Sequence, residues 1–122
     1  VAYQHNAKLL YIEKKLIPLS YDFDMSGFVN PSYATVNETL GISSVRDRKY
    51  RGFKRDTSIM QDTRELYISK KDDLISIVES HKSQFDSEKE YKETIGFLSE
   101  FYEIMEDDKS FQKEILDAMR TK

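Results

Sequence analysis

Asn6, Asp22 and Asp24 are the residues whose types and spacing could do chemistry. An amide and two carboxylates offer oxygen donors only, the hard set that suits Mg²⁺ or Mn²⁺. They flank two apolar runs, Ala7–Ile12 and Leu16–Asp22, which read as strands around a turn at Glu13-Lys14-Lys15. With Ile12 opposite Leu16, antiparallel pairing sets Asn6 opposite Asp22, and Asp24 follows on the same side. His5 then points to the other face, towards Phe23. A slip of one residue undoes this arrangement, and Pro18, which cannot donate to a ladder, weakens the register.

A plainer reading makes Asp22 and Asp24 strand-end carboxylates, one of them capping a turn beside Ser26-Gly27, and His5 a packed side chain. His5 and His81 are the only histidines, so His-rich metal chemistry is excluded, and there is no Gly-rich phosphate loop and no nucleophile–His–acid arrangement. The D-x-D of haloacid-dehalogenase-type phosphatases needs several further parallel strands, and nothing after Asp56 reads as strand. The glycosyltransferase D-x-D fails similarly, for want of a nucleotide-sugar domain.

The elements that must hold these residues follow in order. Met25–Gly41 is punctuated by Gly27, Asn30, Pro31, Asn37 and Gly41 and reads as a long irregular loop. Ser44–Arg55 is basic and aperiodic, with a short helix at most near Val45–Tyr50. From Asp56 the period becomes helical. One helix runs to about Ser80, with Met60, Leu66, Tyr67, Leu74, Ile77 and Val78 as its apolar stripe. A second, capped by Asp86 or by Ser87 with Glu90 in a capping box, reaches about Glu106, with Tyr91, Ile95, Leu98, Phe101, Tyr102 and Met105 inward. A third, Lys109–Met119, contributes Phe111, Ile115, Leu116 and Met119.

At 122 residues the chain suits one domain, and 34% charged with 12% aromatic residues is a globular balance rather than a disordered one. Residues 1–55 hold nine Lys/Arg against five Asp/Glu, or +4; residues 56–122 hold ten against seventeen, or −7. The basic stretch is short and the whole chain acidic, which argues against nucleic acid as a partner. There is no cysteine, so no disulfide and no thiolate zinc site, and no apolar run is long enough to span a bilayer.

The run His5-Asn6-x-Lys8-Leu9-Leu10, then Ile17-Pro18-Leu19-Ser20-Tyr21-Asp22-Phe23-Asp24-x-Ser26-Gly27, resembles the C-lobe metal hairpin of atypical kinase-like proteins of the CotH and HipA kinds. It is more similar still to uncharacterised bacterial proteins with a P-Y-D-F-D-x-S-G-x-V-N-x-x-Y-A signature. Phe28–Ala34 and Ser44–Gly52 are similar to later parts of that pattern. The resemblance implies an ATP–Mg²⁺ phosphotransferase with an unidentified phosphoacceptor, in the bacterial cytoplasm or cell envelope. By similarity Asn6 and Asp22 hold the metal, Asp22 in the place of the acidic residue of the kinase D-F-G, with Asp24 as a further contact. Arg46, Arg48 and Arg51 either contact phosphate groups of nucleotide or substrate, or pair with the acidic helices or with Asp24.

The catalytic-loop Asp and the nucleotide-gripping Lys of such proteins have no counterpart in this sequence. The expectation is therefore a C-terminal fragment, inactive alone and completed by upstream parts of its own chain. Its fold is expected to be α+β: a metal-site hairpin and basic loop over 1–55, then a helical subdomain of about three helices over 56–122. The contrasting expectation is a non-enzymatic helical interaction domain that keeps a degenerate hairpin.

Overall fold

Two mainly apolar six-residue runs on either side of a two-residue turn form a hairpin. The computed structural model describes residues 7–23 and 26–121. β1 (Ala7–Ile12) and β2 (Lys15–Ser20) pair antiparallel, with Ile12 opposite Lys15, Leu10 opposite Ile17 and Ala7 opposite Ser20. Glu13 and Lys14 form the turn at φ 50° and 63°. Positive φ at both central residues marks the tight hairpin turn whose twist matches that of the strands. A three-residue loop favours a left-handed residue, usually Gly, and none stands at 13–15. The expected turn is thus corrected by one residue: Lys15 joins the ladder, and Leu16 faces Tyr11 rather than Ile12.

Two compact units make up the chain, Val1–Arg46 and Asp47–Lys122. In the first, Lys8, Leu10, Ile12, Lys15, Ile17 and Leu19 share one face of the hairpin, and Ala7, Leu9, Tyr11, Leu16, Pro18 and Ser20 the other. Both faces leave large apolar groups in solvent, among them Leu9, Tyr11 and Leu16. After Phe23 the chain turns by short local bonds. Ser26 N–H donates to Phe23 O (2.9 Å), and Val29 and Asn30 N–H both donate to Ser26 O (3.1 and 3.0 Å). A 3₁₀ turn at Glu38–Leu40 is capped by Asn37, whose Oδ1 accepts from Thr39 N–H (3.1 Å), and is closed by Gly41 in the left-handed region (φ 66°).

The helical unit holds the core. α1 (Thr57–Ser69), α2 (Lys71–Ser80), α3 (Glu88–Glu106) and α4 (Asp108–Phe111) are its helices, and a π-turn over Gln112–Leu116 continues α4. α3 is the central piece. Ser87 caps it by accepting from Glu90 N–H (3.1 Å), and its inward side buries Thr94, Leu98, Tyr102 and Met105. That set has the three-to-four-residue rhythm of one helix face. Met60, Met105 and Phe111 form a cluster on which Tyr50, Ile68, Phe101, Ile115, Leu116 and Met119 pack. Phe101 meets Tyr67 and Tyr102 edge-on, at centroid distances of 5.3 and 5.2 Å.

The single helix expected over 56–80 is broken at Lys70 (φ −102°, ψ 5°). Ser69 Oγ back-bonds to Leu66 O (2.8 Å), a hydroxyl competing with the backbone ladder at the last turn. The inward face keeps its phase across the break, and the expected stripe had mixed that face with the one beside it. Met60, Arg64 and Ile68 turn inward on α1, and Ile75 and Val78 on α2. Leu66, Tyr67, Leu74 and Ile77, expected in the core, are exposed instead and line an open apolar groove of about 600 Å³. None of the described helices is long and apolar enough to cross a membrane.

Candidate functional site

Asp22 stands just beyond the end of β2, exposed, with its backbone at φ 63°. Left-handed backbone at a non-glycine residue is uncommon, and aspartate is among the side chains that tolerate it best. The conformation breaks the strand alternation, so register no longer dictates where the carboxylate points. The opposition of Asn6 to Asp22 was derived from Ile12 facing Leu16, and the observed ladder has Ile12 facing Lys15. That derivation therefore does not hold. Asn6, Asp24 and His5 lie outside the described residues. Among the described residues, no group of three or more His, Cys, Asp or Glu side chains could hold a metal ion.

Arg46 belongs to the same unit. Its Nε donates to Gly27 O (3.0 Å) and its backbone N–H to Ser44 Oγ (3.1 Å). The guanidinium thus clasps the Ser26–Asn30 turn, which follows the aspartate pair in sequence, onto the Ser44–Arg46 segment. A half-buried guanidinium on a carbonyl is a charge-assisted bond, stronger than a neutral one. Its effect is to fix the loop that leaves the strand.

Arg48 sits in the helical unit and does a different job. Its Nη1 pairs with Glu100 Oε2 (3.0 Å), Nη2 donates to Phe97 O, and the guanidinium lies 3.9 Å from the centroid of the Phe97 ring. This is the pairing with an acidic helix that the sequence offered as one of two roles. Next to it, Tyr50 packs on the methionine cluster, its hydroxyl 4.0 Å from Met60 Sδ. Arg120 closes the segment: its N–H donates to Gly52 O (2.9 Å), its carbonyl accepts from Lys54 N–H (2.9 Å), and its guanidinium covers Phe53. Residues 48–54 thus have structural work in this chain.

Sequence reasoning missed a cleft of about 310 Å³ in the first unit, between the Asn30–Val36 stretch and Ser43–Val45. Its only forewarning was the turn-forming Asn30-Pro31-Ser32 run. No protein-family model, no curated protein and no solved structure matches the chain.

Proposed function

We propose that the chain is the C-lobe portion of an atypical kinase-like protein of the CotH/HipA kind, whose whole form transfers phosphoryl groups from ATP with Mg²⁺. The observation that carries this reading is the backbone of Asp22: the strand ends on a carboxylate held at φ 63° and open to solvent. Departures from ordinary backbone geometry concentrate at functional sites, where surrounding structure holds them. Arg46, clasping Gly27 just downstream, supports it by fixing the loop that leaves the site. Asp22 would be the metal-holding carboxylate, with Asn6 and Asp24 completing the oxygen set. A divalent ion there would neutralise the charge of the nucleotide's phosphates. Arg46 and Arg48 would be the arginines that contact phosphate, each with part of its guanidinium already engaged, Arg46 on Gly27 O and Arg48 on Glu100 and Phe97.

A second reading, a non-enzymatic interaction domain, is favoured by the open apolar groove of Leu66, Tyr67, Leu74 and Ile77. Nucleotide binding separates the two. Mg²⁺-dependent ATP binding by the full-length parent, measured calorimetrically, is expected to weaken by roughly tenfold or more in Asp22→Ala, a loss of about 1.4 kcal/mol or more. Binding that ignores the substitution, or no binding in either protein, overturns the kinase reading.

A further inference from the structure

The cleft of the first unit has a lining of a particular chemistry. The polar residues of its lining are Asn30, Ser32, Ser43 and Ser44, and none of the residues that line it is charged. Pro31, Ala34, Val36 and Val45 supply apolar surface between them. An amide offers two donors and an acceptor, and a hydroxyl both donates and accepts, which Asn30 and Ser32 bring to the lining. A ligand matched to that set carries several groups that likewise donate and accept, on a skeleton whose C–H faces can lie against small apolar side chains. Hydroxyl groups on a saturated ring meet both requirements.

An anion does not. Phosphate and carboxylate sites are built around arginine, lysine or converging backbone N–H groups at a helix end. The nearest arginine in sequence, Arg46, directs its Nε to Gly27 O. Size points the same way. At about 310 Å³ the cleft stands at the small end of ligand sites, room for a single ring rather than a nucleotide.

The walls are set by local bonds. Asn30 is held at φ 46°, with its N–H on Ser26 O (3.0 Å). Ala34 N–H donates to Pro31 O (2.9 Å), and Ser44 Oγ accepts from Arg46 N–H (3.1 Å). The Arg46–Gly27 clasp ties the segment before Asn30 to the one that carries Ser44. A cleft whose two sides are joined this way keeps its shape before a ligand arrives, which lowers the ordering cost of binding.

We infer that this cleft binds a small uncharged polyhydroxylated ring, a monosaccharide or cyclitol. The inference does not depend on the kinase reading. The probes are D-glucose, myo-inositol and inorganic phosphate, titrated into the isotope-labelled full chain and followed by backbone amide shifts. Glucose or inositol is expected to move amides within 30–36 and 43–45, with phosphate leaving them in place. Asn30→Gly keeps the positive φ and removes the amide, and should weaken binding by roughly fivefold, the loss of one hydrogen bond. Ala34→Phe fills the cleft and should abolish the shifts. Asp22→Ala should leave them unchanged. Shifts scattered outside the cleft, no shifts, shifts caused by phosphate instead, or binding indifferent to both cleft variants would each overturn the inference.

Discussion

At Gly52 there is no room for a side chain. A Cβ built there would come within 2.2 Å of the Tyr50 hydroxyl and 2.4 Å of its Cζ. The tyrosine cannot swing away cheaply, because its ring packs on the Met60, Met105 and Phe111 cluster. Gly52 O also accepts from Arg120 N–H (2.9 Å), which fixes the backbone from the other side. Gly52→Ala is therefore expected to destabilise the fold by about 1–3 kcal/mol, the usual range for forcing extra atoms into packed surroundings. Urea unfolding followed by far-UV circular dichroism reads this directly; an unchanged midpoint would show that Tyr50 is loosely held. The sequence displayed the Tyr50-Arg51-Gly52 run but not its reason, since the clash is between a side chain and a backbone site brought together by the third dimension. Asp22 is the opposite case. Its position at the end of an apolar run was legible from alternation alone, whereas its positive φ belongs to the turn that follows and leaves no periodic trace.

Helix α3 was legible almost to the residue, because cap, stripe and length all pointed to the same element. Ser87 and Glu90 announce its start, and the inward residues keep one phase through Met105. The hairpin was legible in its strands and misjudged by one residue in its turn, since Glu13-Lys14-Lys15 contains none of the glycine or asparagine that usually marks the positive-φ positions. The break at Lys70 was invisible: lysine at the end of a helix is as ordinary as lysine in its middle. The short α4 depends on its cap more than a long helix would. Asp107 Oδ1 accepts from Ser110 N–H (2.8 Å), and the Ser110 bonds, backbone first, hold its carboxyl below the ordinary aspartate value. A depressed carboxyl contributes stability that is full above the unfolded value, about pH 4, and lost as pH falls through the folded value. Asp107→Asn keeps a capping oxygen without titrating. Its melting temperature should fall less steeply than the parent's below about pH 4, when each is referred to its own neutral value. Parallel curves for the two proteins would mean that this carboxylate does not couple to the fold.

The helical period begins at Asp56, whereas the compact units divide at Asp47. Dividing at Asp56 makes a +4 piece and a −7 piece, an imbalance that invites an external partner of opposite sign. The compact units divide at Asp47, and with that boundary residues 1–46 hold four Lys/Arg and four Asp/Glu, while residues 47–122 hold fifteen against eighteen. The two pieces are then 0 and −3, so most of the apparent polarity is neutralised inside the helical unit. Arg48 on Glu100 and Phe97, Tyr50 on Met60, and the Gly52–Arg120 and Lys54–Arg120 bonds are the contacts that draw 47–55 into it. Every buried side chain among the described residues also lies in this unit, from Met60 to Phe111. A protein made of residues 47–122 should accordingly unfold in one cooperative transition and retain the helices α1 to α4. One begun at Asp56 loses the Tyr50 packing and the Arg48 and Arg120 bonds, and should be less stable than the longer piece by roughly 2–4 kcal/mol. Thermal and urea melts of the two pieces side by side make the comparison. Equal stability would return 47–55 to the role of an exposed basic loop, and a broad, non-cooperative melt of the longer piece would show that its core needs residues 1–46 to close.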